Sequence, residues 1–265
     1  VITVVSVAGL VSIQDAGRPG WMHEGVPRGG PLAPELLERA NAAAGNPPGE
    51  AAVEIVGAAS FAVAPGTSVA TDEGPCTTAG GLVRASSRER GVAYLAIRGG
   101  VDVPLVLGGR GTLLGAALGG FGGRPLRAGD VLRSRGVPPE QITPPPRPDP
   151  LAALPIVAGP DLDRFAPHAL DVLLASAFVV GPRSDRTGVR LAGAVLPRSG
   201  RDDTGPSAPM FRGAIQVPPS GEPIVLGPDH PTTGGYPVLA TLVRRGWGPL
   251  ACRIPGAPVH FALAR

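Results

Sequence analysis

Lysine is missing from the 265 residues: all 24 basic side chains are arginine. A P-loop needs a lysine on the phosphates, so that nucleotide site is excluded. A Schiff-base lysine is excluded too, and no side chain can carry lysine-linked biotin. Charge is sparse, at 17% of residues against about 25% in an average domain. The arginines are scattered, so a net charge of +3 does not mark a nucleic-acid surface. Two cysteines, Cys76 and Cys252, have no zinc-site spacing, and no histidine pair has metal-ligand spacing, so no metal site is expected. Reduced thiols in a cytoplasmic protein are the expectation. Long hydrophobic runs are lacking as well. The longest uncharged stretch, residues 55–71, is interrupted by Gly57, Pro65 and Gly66, which is not a membrane span. No signal-peptide pattern is visible.

What the chain has instead is glycine (40) and proline (33), together with 43% hydrophobic residues in short runs. That grammar predicts many short strands joined by tight turns. Residues 1–7 read as a strand and 14–30 as turn material. A helix is expected over 34–44: Leu36, Leu37, Ala40 and Ala44 share one face, with Pro34 in the first turn and Gly45 at the end. Residues 53–56, 60–63 and 92–98 read as strands. Seven prolines between 136 and 150 form a stiff, extended connector. The expected division is an N-terminal β lobe over 1–140, a connector over 141–150 and a C-terminal β lobe over 151–265. The second lobe repeats the pattern, with a helix over 167–175 and strands near 156, 178, 189, 214, 223, 236 and 259. The fold class is mainly β, two β-rich lobes each with one short helix.

Three polar groupings stand out against this charge-poor background. The first is Gln14-Asp15-Ala16-Gly17-Arg18. The second is Ser184-Asp185-Arg186-Thr187-Gly188. The third runs from Gly213 through Gln216 to the Asp229-His230 pair and the block Thr232-Thr233-Gly234-Gly235-Tyr236-Pro237. Arginine's planar fork recognises carboxylates, phosphates and carbonyls. Gln216, Thr232 and Thr233 offer neutral donors and acceptors, and backbone N–H groups at Gly234 and Gly235 suit a developing oxyanion. Each Asp–Arg pair reads equally as a salt bridge bracing a turn. His168 and His260 read as structural, whereas His230 sits in the polar loop.

These blocks, in this order, resemble the carboxyltransferase-domain family. The matching residues include Gln14-Asp15, Gly17-Arg18, Gly25-Val26-Pro27, Asn41, Gly45-Asn46-Pro47, Glu54 and Tyr94-Leu95-Ala96. They continue with Gly99-Gly100-Val101-Asp102-Val103-Pro104, the glycine cluster from 119 to 126, Ser184-Asp185-Arg186, Arg190-Leu191, residues 213–219 and residues 232–237. The family includes the C-type subunit of ATP-dependent 5-oxoprolinase, proteins labelled allophanate hydrolase subunit 2, an antagonist of a sporulation-kinase inhibitor, and the carboxyltransferase region of urea carboxylase. Gly29, Ala33, Thr187 and Pro231 depart from the family pattern, and the stretch from Asp72 to Tyr94 is short.

The resemblance implies lobes of cyclophilin-like barrel type and the role of a non-carrier subunit in an amide-processing enzyme. The reading most like it is the C-type subunit of 5-oxoprolinase: part of a hydrolase that works with a homologous B-type partner on a small amide, with ATP used by the complex. The alternatives are a regulatory protein that antagonises a kinase inhibitor, and the acceptor half of a biotin-dependent carboxyltransferase with biotin only in trans. Arg186, Gln216, Tyr236 and His230 are the candidate catalytic residues. Arg18, Asp15, Asp185, Thr232, Thr233, Gly234 and Gly235 are the candidate substrate-binding residues.

Overall fold

The computed structural model describes residues 1–76, 81–199 and 206–264. Strand outweighs helix, 33% to 16%, which makes the chain mainly β. It divides into two compact units, 1–20 with 28–148, and 21–27 with 149–265.

The first unit is built on one long hairpin. Strand β1 (Ile2–Gln14) runs antiparallel to β2 (Ala52–Val63), with Ile2 opposite Val63 at one end and Gln14 opposite Ala52 at the other. Glycines in both strands suggest breaks in the sequence, but Gly9 and Gly57 lie opposite each other, both at φ +118°, and the ladder passes through them. A Cβ on Gly57 would collide with the Ala8 carbonyl, so the close approach requires glycine. Strands β3 (Val69–Thr71), β4 (Gly74–Pro75), β5 (Leu82–Ser86), β6 (Ala93–Ile97) and β7 (Val131–Leu132) complete the sheet. Its order is β4-β3-β6-β2-β1-β7, with β5 also paired to β2. Helix α1 (Pro34–Ala44) buries Leu36, Leu37, Ala40 and Ala44, and Gly45 closes it in the left-handed region at φ 72°. A single turn, α2 (Gly120–Gly123), follows later in the chain. Ile2, Val4, Ile55, Phe61, Leu95 and Ile97 anchor the core.

The proline-rich stretch is fastened to this unit. Glu140 N–H donates to the Gly45 carbonyl at 3.0 Å. Arg39 Nη1 donates to the Pro145 carbonyl at 2.8 Å. Arg147 reaches Asp72, whose side chain is fully buried and also takes Arg90 at 2.6 Å and the Tyr94 N–H at 2.9 Å. Stiffness from proline is thus supplemented by specific pairing.

The second unit contains β8 (Leu154–Ala158), α3 (Ala169–Ala175), β9 (Phe178–Val180), β10 (Gly188–Gly193), β11 (Ala208–Pro209), β12 (Ala214–Gln216), β13 (Ile224–Leu226), β14 (Thr233–Gly234), β15 (Val238–Leu242), α4 (Trp247–Ala251), β16 (Pro258–Val259) and β17 (Phe261–Leu263). Eight strands form one sheet in the order β16-β9-β10-β13-β12-β15-β8-β17, while β11 and β14 make a separate ribbon. All pairings in that sheet are antiparallel except β17 with β8. Inward-facing Leu154, Ile156, Phe178, Ile215, Leu239 and Phe261 fill its core, with Phe178 and Phe261 edge to face at 6.0 Å.

Candidate functional site

Part of the third sequence block meets at a cleft of about 830 Å³ in the second unit. The cleft is lined by Asp161, Asp163, Arg164, Met210, Gly234 and Tyr236, among others, with Gly235 beside them. The ribbon places this wall: Ala208 pairs with Gly234, Pro209 with Thr233, and Met210 N–H donates to the Thr232 carbonyl at 2.9 Å. Tyr236 is 38% exposed. The Asp161 carboxylate, also on the cleft, accepts the Val238 N–H at 2.8 Å, which fixes it to the start of β15.

Gln216 supports the wall from within the protein. Its side chain is buried, and Nε2 donates to the Tyr236 carbonyl at 3.3 Å and contacts the Met210 sulfur at 3.0 Å. A Cβ on Gly234 would lie 3.1 Å from that Nε2 and 3.2 Å from Met210 Cγ. Glycine at 234 therefore lets the glutamine and methionine pack directly against the ribbon, and Gln216 holds the backbone at Tyr236.

Arg186, Asp185 and His230 belong to a neighbouring pair of loops in the same unit. Arg186 binds Asp229 side-on, Nε to Oδ2 at 2.8 Å and Nη2 to Oδ1 at 2.9 Å, and Asp229 N–H donates to the Arg186 carbonyl at 3.1 Å. Exposed Asp185 accepts the N–H groups of Thr187 and Gly188 at 2.8 and 3.2 Å, bracing the turn in the manner of an Asx turn. His230 is 2% exposed, and its Nδ1 lies 2.8 Å from the Pro231 carbonyl. A carbonyl only accepts, so Nδ1 carries the hydrogen and Nε2 keeps its lone pair. Burial lowers the His230 pKa below its usual 6.5, opposed by the Pro231 hydrogen bond and the Asp229 charge and assisted by Arg212.

Asp15 and Arg18 lie in the first unit. Asp15 accepts Gly17 N–H at 2.9 Å and Arg110 N–H at 2.5 Å. Arg18 is 1% exposed; its Nη2 donates to the Gly111 carbonyl and its Nε to the Val106 carbonyl at 3.4 Å. Both side chains hold the 106–111 loop. Sequence reasoning misses Asp161, Asp163 and Arg164. Three charges within four residues in so charge-poor a chain are the available signal. Among the described residues no group of three or more His, Cys, Asp or Glu is placed to hold a metal ion. No helix among them is long and apolar enough to cross a membrane.

The family model described as carboxyltransferase domain, subdomain A and B, matches residues 24–263. The chain is 32% identical to the C-type subunit of 5-oxoprolinase from Escherichia coli (strain K12), covering 98% of this chain and 90% of that protein. The solved structure of TTHA0988 superposes with a TM-score of 0.80 at 29% identity, over 98% of this chain and 55% of that one. The urea carboxylase of Kluyveromyces lactis gives a TM-score of 0.86 at 25% identity, over all of this chain and 27% of that one. The chain thus spans about half of TTHA0988 and about a quarter of the carboxylase. With a family match over nearly its whole length, the chain belongs to the carboxyltransferase-domain family, subdomains A and B.

Proposed function

We propose that this chain is the C-type subunit of a cytoplasmic, ATP-dependent hydrolase that opens a small cyclic amide, 5-oxoproline being the first candidate, in complex with a B-type partner. The observation that carries this reading is the end-to-end similarity to the C-type subunit of a 5-oxoprolinase, 98% of this chain against 90% of that one. The Gly234–Tyr236 cleft supplies the chemistry. A lactam presents a carbonyl oxygen and an N–H. The Tyr236 hydroxyl can donate to the first or accept from the second, and the backbone N–H of Gly235, next to the Gly234 N–H that the ribbon takes up, suits an oxygen that gains negative charge on ring opening. Thr232 and Thr233 place these groups through the ribbon. A nucleotide site of the P-loop type would lie on another part of the complex, since this sequence has no lysine.

A second reading is the acceptor half of a carboxyl transfer, favoured by superposition of the entire chain on a urea carboxylase. Biotin would then be carried outside these 265 residues, because they contain no lysine to hold it. Calorimetry separates the two readings. Binding of 5-oxoproline in the presence of the B-type partner supports the hydrolase, binding of free biotin supports the carboxyltransferase, and silence toward both contradicts both.

A further inference from the structure

A second concavity in the same unit shares no lining residue with the cleft at Gly234–Tyr236. It is a groove of about 220 Å³ lined by Arg183, Arg190, Leu191, Ser220, Glu222 and Pro223, among others. We propose that this groove binds a small oxyanion, a carboxylate or a phosphate, through Arg183 and Arg190 together. The proposal does not rest on the function assigned above.

Two features carry it. The first is preorganisation. Arg190 lies on β10, and Arg183 lies in the turn that follows β9. Gly181 N–H donates to the Arg190 carbonyl at 2.7 Å. The Ser184 hydroxyl donates to the Gly181 carbonyl at 2.8 Å and accepts the Arg190 N–H at 3.1 Å. One serine thus clips the turn bearing one arginine to the strand bearing the other. The facing wall is fixed by Leu191 N–H to the Pro223 carbonyl at 2.9 Å and by pairing of Arg190 with Ile224.

The second feature is unspent charge. Arg90, Arg124, Arg135, Arg147 and Arg186 each bind a carboxylate. Among the described residues neither Arg183 nor Arg190 has a side-chain hydrogen bond or ion pair, although Glu222 lines the same groove. Both arginines line one groove, and a guanidinium fork matches the paired oxygens of a carboxylate or phosphate. The volume lies below the roughly 300–1,000 Å³ of pockets for drug-sized ligands, which selects an amino-acid-sized or smaller anion.

The test is calorimetry of the full chain at low ionic strength with inorganic phosphate and, separately, L-glutamate. One-to-one saturable binding of at least one probe is expected, and the probe that binds tells a phosphate from a carboxylate. Arg183→Gln and Arg190→Gln should each weaken binding about tenfold, the loss of one charge-assisted contact. Glu222→Gln should tighten it by removing a like charge. Arg183 is exposed on a turn, so its variant keeps the test decisive even if Arg190→Gln fails to fold. Saturation by neither probe, or unchanged binding by Arg183→Gln, would overturn the proposal.

Discussion

Arg186 and Asp229 meet side-on through two hydrogen bonds of 2.8 and 2.9 Å, with only 4% and 10% of their side chains exposed. The pair joins the 184–188 turn to the 227–230 loop, which also approach through Gly227 N–H and the Thr187 carbonyl at 2.8 Å. Removing the arginine strands a nearly buried carboxylate. Arg186→Ala should therefore destabilise the chain by about 3 kcal/mol, and the double variant with Asp229→Ala should recover part of that loss. Urea unfolding of the three proteins checks this. A single variant within about 0.5 kcal/mol of the parent, the usual range for surface substitutions, would show that the pair contributes little.

His230 gives the stability a pH dependence. As pH falls through about 6.5 the unfolded chain protonates this histidine, while burial keeps it neutral in the folded state. Its contribution is complete above that pH and is lost progressively below it. Denaturation midpoints between pH 5 and 8 should fall on the acid side, and His230→Gln should flatten that fall. An identical acid profile in the variant would assign the effect to other groups.

Asp72 should be the most sensitive carboxylate in the first unit. It takes Arg90 at 2.6 Å and Arg147 at 2.8 Å with its side chain wholly enclosed. Asp72→Asn removes the carboxylate that two partly exposed guanidiniums share, leaves them Glu73 at 3.0 and 3.7 Å, and should cost about 1–3 kcal/mol. It should also speed proteolysis within 136–148, since Arg147 would keep only its longer contact to Glu73 at 3.7 Å. Unchanged cleavage rates would mean that the remaining contacts hold the segment by themselves.

At the cleft, two substitutions should separate positioning from contact. Tyr236→Phe removes an exposed hydroxyl and should leave the melting temperature unchanged, while weakening 5-oxoproline binding by about 1 kcal/mol, roughly fivefold. Gln216→Leu takes the donor from the Tyr236 carbonyl and should lower stability by about 1 kcal/mol as well as binding. Equal melting losses for both would place Tyr236 among the structural residues.

Some of this is legible in the residues alone. The spacing of Leu36, Leu37, Ala40 and Ala44 between Pro34 and Gly45 gives α1 with its ends. Alternating apolar runs announce strands, but Gly9 and Gly57 read as punctuation because their face-to-face pairing, 48 residues apart in sequence, is a tertiary fact. The polar blocks identify the family, yet they do not say which partner each side chain takes within the fold. Gln216 points at the protein's own ribbon, Arg186 at Asp229, and Arg18 at the 106–111 loop. Those orientations depend on strand register and loop approach, which motif spacing does not encode.

The function proposed for this chain makes it an indispensable part of a cyclic-amide hydrolase. The direct measurement is glutamate release from 5-oxoproline with ATP, in a reconstitution with its B-type partner and the remaining components of the complex. ATP-dependent release that needs this chain, falls with Tyr236→Phe and is absent from the chain alone is the predicted result. Full turnover without the chain, or none in any combination while free biotin binds, would contradict the account.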